Sequence, residues 1–137
     1  VELARERHAN TLGSENIEFL VGDMRHLELG VFDHVVAMDS LIHYDPDDGL
    51  ATLAAFANQV TSSIVFTYAP RTPLLAVMHA AGQWFPRGNR SPAIVPVAKQ
   101  QLHDAFSSQS EFDDWRIDRQ YQVSSGFYIS SAMELTR

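Results

Sequence analysis

Apolar and polar positions along the chain change period several times, and each change predicts an element. Val1 to Leu12 is rich in helix formers and is followed by Gly13, a natural residue just past a helix end. Ile17, Phe19 and Val21 alternate with Glu18 and Leu20, which predicts a short strand ending at Gly22-Asp23. A β-branched apolar run then predicts a buried strand at about Phe32 to Met38. The run turns polar at Asp39-Ser40 and closes on His43-Tyr44 before the breaker Asp45-Pro46. Asp45 as N-cap and Pro46 in the first turn start a helix, with Leu50, Leu53, Ala54, Ala57 and Val60 on one face. Ser63 to Tyr68 is a further buried-type strand.

The turn Ala69 to Pro73 leads into a predicted helix capped by Thr72 and running to about Trp84. Phe85 to Pro96, with its Pro, Gly, Asn and Arg residues, predicts an irregular loop. Lys99 to Phe106 predicts a short helix turning Leu102, Ala105 and Phe106 inward. Trp115, Ile117, Tyr121 and Val123 then follow a period of two, as do Phe127, Ile129, Met133 and Leu135 beyond Ser124-Ser125-Gly126. That pattern predicts an antiparallel hairpin at a sheet edge. Alternating β and α units ending in a hairpin predict an α/β fold with a mainly parallel sheet and helices on its faces.

Composition removes several classes of function. The 137 residues make one domain's worth of chain, with ordinary hydrophobic (45%) and charged (20%) content. A net charge of −7 and a single lysine, Lys99, argue against nucleic acid, whose binding needs clustered Lys and Arg. The absence of cysteine excludes disulfides, thiolate zinc sites and cysteine nucleophiles. No apolar run approaches the roughly 18 residues of a membrane span. No Gly-x-Ser-x-Gly elbow and no His-Glu-x-x-His is present. The chain opens inside a predicted helix at Val1, without a signal or transit pattern, which points to a fragment.

Ligands of an open parallel sheet lie outside the carboxyl ends of its strands. The tip at Asp39, Ser40, His43 and Tyr44 is therefore where chemistry is expected. The order of elements resembles the class I S-adenosylmethionine-dependent methyltransferase fold. Val21-Gly22-Asp23-Met24 stands where that fold carries an acidic residue after its third strand, and Phe32-Asp33 where its fourth begins. The finer resemblance is to the magnesium-protoporphyrin IX O-methyltransferase family. It is carried by Phe32 to Tyr44, by Phe66-Thr67-Tyr68-Ala69-Pro70-Arg71-Thr72-Pro73-Leu74-Leu75, and by Phe85-Pro86-Arg87-Gly88. None of the seven glycines forms a Gly-x-Gly, so the family's first strand and glycine-rich cofactor loop are missing. The resemblance thus implies a single partial domain, a Rossmann-like methyltransferase sheet lacking its first strands.

What the resemblance implies is transfer of a methyl group from S-adenosylmethionine to a propionate carboxylate of magnesium-protoporphyrin IX, giving the monomethyl ester. It gives His43 the catalytic role, orienting the acceptor or handling a proton; the alternative is a histidine satisfying backbone at a strand-to-helix turn. Gly22, Asp23, Met24 and Asp39 are candidates for the cofactor: Asp23 for the adenine amino group, Met24 for its ring, Asp39 for the cationic part. Asp39 could equally cap a helix or fix a loop, and Met24 could be ordinary core. Tyr44, Arg71 and Arg87 are candidates for the substrate, since guanidinium grips carboxylate bidentately. Arg90 is a weaker candidate, and Trp84, Phe85, Met78 and Leu75 could line a wall for the macrocycle. His79 could ligate the substrate's magnesium; no metal site of the protein's own is predicted.

The rival expectations are a class I methyltransferase for another small molecule and a catalytically silent fragment. The resemblance places the protein in the cytoplasm, at the periphery of photosynthetic membranes. A hydrophobic substrate suggests transient association with a membrane or with magnesium chelatase, although no amphipathic basic helix supports it.

Overall fold

The computed structural model describes residues 1–8, 16–25, 30–71, 94–125 and 128–137. Helix α1 (Glu2–His8) is followed by strand β1 (Phe32–Ala37), a 3-10 turn at Leu41–His43, helix α2 (Pro46–Ala57) and strand β2 (Val60–Tyr68). Helix α3 (Lys99–Ser108), a 3-10 turn at Ser110–Phe112 and strands β3 (Arg116–Ser125) and β4 (Tyr128–Thr136) complete the order. The predicted helix at Pro73 to Trp84 lies outside the described residues, as do Arg87 and Arg90.

The sheet runs β1-β2-β4-β3. β1 and β2 are parallel, and β4 enters antiparallel between β2 and β3. One parallel βαβ unit therefore supports the site, and the closing hairpin covers the far edge of β2. The predicted hairpin forms, with β3 ending at Ser125 and β4 beginning at Tyr128. Its inward set differs, because the register passes from Ile117↔Leu135 to Gln120↔Met133 and β3 thereby holds one extra residue. Cross-strand partners share a face, so the bulge turns Tyr121 and Val123 away from the face of Ile117. Tyr121 is 73% exposed as a result.

The core lies on one face of the sheet. Ile64, Phe66 and Tyr68 alternate along β2 and meet Met133 and Leu135 of β4, Leu50, Leu53 and Ala57 of α2, and Leu102 of α3. Phe106 joins α3 to this layer, edge-on to Phe66 at 6.2 Å and to Phe112 at 4.8 Å between ring centroids. α2 starts as predicted, with Asp45 in extended backbone and Pro46 in the first turn, but the Asp45 carboxylate makes no capping bond. Its face ends at Ala57, and Val60 opens β2 rather than extending the helix.

The strand expected at Ile17 to Val21 does not form; these residues are irregular. The alternation is present, but a strand exists only where a neighbour takes its backbone groups. No described strand lies beside it. β1 likewise pairs on one side only; Val36, on the face away from Ile64 and Phe66, is 64% exposed, and Met38 is 67% exposed. α1 is mostly solvated and is tied to the 16–25 segment by Arg5, whose guanidinium donates to the Phe19 carbonyl.

Candidate functional site

The ladder between β1 and β2 ends at Ala37↔Phe66, and the next residues swing out of the sheet. Asp39 makes this possible by adopting φ 51, the only non-glycine positive φ among the described residues. Its amide donates to Thr67 Oγ1 at 2.7 Å, and the Thr67 hydroxyl lies 3.2 Å from Asp39 Oδ1 as donor. Leu41 is buried and anchors the 3-10 turn, which leaves His43 on the exposed side. Tyr44 closes the turn through its amide to the Leu41 carbonyl and packs partly on the core. Ser40 Oγ is buried and has no hydrogen-bond partner among the described residues.

The 22–25 segment reaches the same end of the sheet. Asp23 Oδ1 accepts from the Arg25 amide at 3.0 Å, and Oδ2 accepts from the Arg25 guanidinium at 2.7 Å. That guanidinium lies 5.5 Å from the Tyr44 ring centroid, over its face. The Asp23 carboxylate raises the Arg25 pKa above its already high ordinary value, so the cation persists at any physiological pH. The pair is about two-fifths exposed on both sides. Such a pair exchanges with solvent or ligand at little cost. Met24 packs against the core and lines a trough of about 480 Å³ with Met38 and Ser40.

Arg71 reaches the same end from the chain's second crossover. Pro70 and Val97 form a parallel bridge. Val97 N–H donates to the Ala69 carbonyl at 2.9 Å, and Arg71 N–H donates to the Val97 carbonyl at 3.0 Å. Val95 N–H donates to the Ile42 carbonyl at 2.8 Å. The entry and exit of the 72–93 segment are thereby tied to each other and to the turn that carries His43. Arg71 itself is exposed.

The structure thus gathers Asp39, His43, Tyr44 and the backbone of Arg71 at the carboxyl ends of β1 and β2, with Gly22, Asp23 and Met24 brought in through Arg25. Arg87 lies outside the described residues. Thr67 and Arg25 were not singled out by the sequence. Arg25 carries a signal in hindsight, because an arginine two residues after an aspartate can fold back on it. The contact of Thr67 with Asp39 spans 28 residues and has no local signal. Among the described residues no group of three or more His or acidic side chains could hold a metal ion.

The family described as magnesium-protoporphyrin IX methyltransferase C-terminus matches residues 37–137, from the last residue of β1 to the end of the chain. The chain belongs to the magnesium-protoporphyrin IX methyltransferase family. It is 41% identical over 136 residues to the magnesium-protoporphyrin O-methyltransferase of Rhodobacter capsulatus, covering 98% of this chain and 56% of that relative. The chloroplastic magnesium protoporphyrin IX methyltransferase of Arabidopsis thaliana is 26% identical over 124 residues, covering 90% of this chain and 38% of that one. The crystal structure of the magnesium protoporphyrin IX methyltransferase of Synechocystis PCC 6803 with bound SAM superposes with a TM-score of 0.74 at 20% identity, covering all of this chain and 54% of that one. The fold is therefore of the class I methyltransferase type, as the element order predicts. The chain spans from 38% to 56% of the length of these relatives.

Proposed function

We propose that this chain forms the acceptor side of an S-adenosylmethionine-dependent O-methyltransferase that esterifies a propionate of magnesium-protoporphyrin IX. The observation that carries the proposal is the family match over residues 37–137, which includes the strand tip bearing Asp39, His43 and Tyr44 and the crossover bearing Arg71. What the Rhodobacter and Arabidopsis relatives are named for supports the substrate.

The residues at hand fit a cationic cofactor with hydrogen-bonding groups. Asp39 presents a carboxylate from a strained tip, and Ser40, beside Met24 and Met38, keeps a buried hydroxyl without a partner among the described residues. When bound, S-adenosylmethionine supplies a methyl group activated on a sulfonium. A propionate is ionised near pH 7, so the chain's own residues need not remove a proton. Their work is to orient the attacking oxygen and exclude water. Arg71 grips the acceptor carboxylate, and the His43 imidazole donates to the oxygen that does not attack. Arg25, stacked on Tyr44, sets the phenol's position.

The substrate half can be tested on this chain directly. Titration with magnesium-protoporphyrin IX, read by its Soret band, should show saturable binding that weakens in Arg71→Ala. A magnesium-porphyrin whose propionates are both esterified should bind less well. Equal binding of the esterified compound would count against recognition of the propionate.

A second reading, that the chain alone holds acceptor but little cofactor, is favoured by the unpaired edge of β1 and the half-length coverage of the relatives. The trough along that edge runs from Phe32 and Gln59 to Met38 and Ser40, a shape suited to a neighbouring strand at one end and a ligand only at the other. On this reading the domain is partial, and a glycine-rich strand and loop complete it. Calorimetry with S-adenosylhomocysteine should then give no heat with the chain and saturable binding once such a segment of the Rhodobacter relative is joined upstream. Location in the cytoplasm at the periphery of photosynthetic membranes, and transient contact with a membrane or magnesium chelatase, belong to the same proposal through the hydrophobic substrate. No described helix is long and apolar enough to cross a membrane.

A further inference from the structure

We infer that Thr67 is a positioning residue: its hydroxyl holds the Asp39 backbone in the left-handed region and fixes one carboxylate oxygen, so that the other faces the cofactor. The inference rests on the reading of Asp39 as a cofactor residue. Three observations carry it. Asp39 has φ 51, which L residues adopt at a cost of about 1 kcal/mol unless their surroundings compensate. The Thr67 hydroxyl accepts the Asp39 amide at 2.7 Å and, as donor, lies 3.2 Å from Oδ1, which uses its one proton and one of its lone pairs. Thr67 is itself buried, on the strand next to β1 and just past the last ladder pair, Ala37↔Phe66.

These contacts divide the labour within one carboxylate. Oδ1 is engaged by Thr67, and Asp39 remains exposed at the carboxyl end of β1 with Oδ2 free of any contact to Thr67. Without the hydroxyl the amide loses its acceptor, the strain at φ 51 is no longer compensated, and the carboxylate can rotate. A serine would keep both bonds; a valine would keep the shape and lose both. Thr67 touches neither reacting atom. Its effect therefore runs through Asp39 and should vanish when the Asp39 charge is removed.

The test uses this chain and the chain completed by the upstream segment of the Rhodobacter relative. In the chain, Thr67→Val should speed hydrogen exchange of the Asp39 amide relative to that of Ala37, while Thr67→Ser should not. In the completed protein, Thr67→Val should weaken S-adenosylhomocysteine about tenfold by calorimetry, the loss expected for one hydrogen bond to a charged group, and Thr67→Ser by no more than about twofold. On an Asp39→Asn background, Thr67→Val should add little further loss. A full additional tenfold there, or equal losses in the Val and Ser variants, would overturn the inference. Should Thr67→Val not fold, Asp39→Asn alone decides: unaltered affinity overturns the inference, and weakened affinity with a protected amide supports it. If the completed wild-type protein binds no S-adenosylhomocysteine, the cofactor reading fails; an Asp39 amide indifferent to Thr67→Val overturns the positioning role whatever the cofactor does.

Discussion

Asp39 and His43 divide the strand tip between backbone and side-chain chemistry. Asp39 sits where glycine would be easier, at φ 51. Asp39→Gly is therefore expected to change stability by less than about 1 kcal/mol, relief of strain offsetting the lost side-chain bond, as urea denaturation would measure. His43 is exposed on a turn anchored by Leu41. In the completed protein His43→Ala should lower turnover by roughly ten- to a hundredfold, the loss of one hydrogen bond to a charged carboxylate, and leave cofactor affinity unchanged. An unaltered rate would make the histidine structural. Tyr68 offers a test of the core beneath the tip. Burial raises its phenol pKa, and the hydrogen bond with Ser131 lowers it by less. A raised folded pKa means that the unfolded chain ionises first, so stability is full below about pH 10 and falls as pH climbs through the folded value. Urea midpoints measured from pH 8 to 11 should show this decline, and Tyr68→Phe should flatten it.

At the scale of elements, the ties around the second crossover carry the clearest consequence. Val97 is buried and its amide donates to Ala69. Val97→Pro removes that donor and should cost about 1–3 kcal/mol and, on the proposed function, weaken porphyrin binding, because the bridge that ties Arg71 to Val97 is loosened. Phe112→Ala, in contrast, should cost about 3–5 kcal/mol by urea denaturation without a comparable effect on the affinity of the protein that remains folded. Phe112 is 1% exposed and stacks edge-on against Phe106. The elements that could be read from the sequence are those whose period is set locally: α2 behind Asp45-Pro46, the apolar β1 and β2, and the closing hairpin. The bulge at Ile117 to Gln120 could not, since an inserted residue is visible only against its partner strand. The Ile17 to Val21 alternation misleads for the complementary reason: its period is right, yet nothing described pairs with it. The site divides the same way. Asp39, His43, Tyr44 and Arg71 announce themselves as polar residues at breaks in pattern. Thr67 reads as one more β-former inside a strand, and only the register of β1 on β2 brings it to Asp39.

For the whole molecule, a net charge of −7 and an open sheet edge pull in opposite directions. Charge favours dispersal, whereas an unpaired strand showing Val36 and Met38 is a template for pairing with another chain. The chain should therefore self-associate with rising concentration in sedimentation velocity, and an upstream strand joined to it should suppress that association. On the proposed function the same completion bears on activity, because the tip would supply the acceptor half of the site and the chain spans 56% and 38% of its Rhodobacter and Arabidopsis relatives. The decisive measurement is transfer of labelled methyl from S-adenosylmethionine to magnesium-protoporphyrin IX by the completed protein. Label is expected in a base-labile monomethyl ester, formed roughly ten- to a hundredfold more slowly with His43→Ala. No ester from magnesium-protoporphyrin IX, in a protein that folds and binds S-adenosylhomocysteine, would contradict the proposed function.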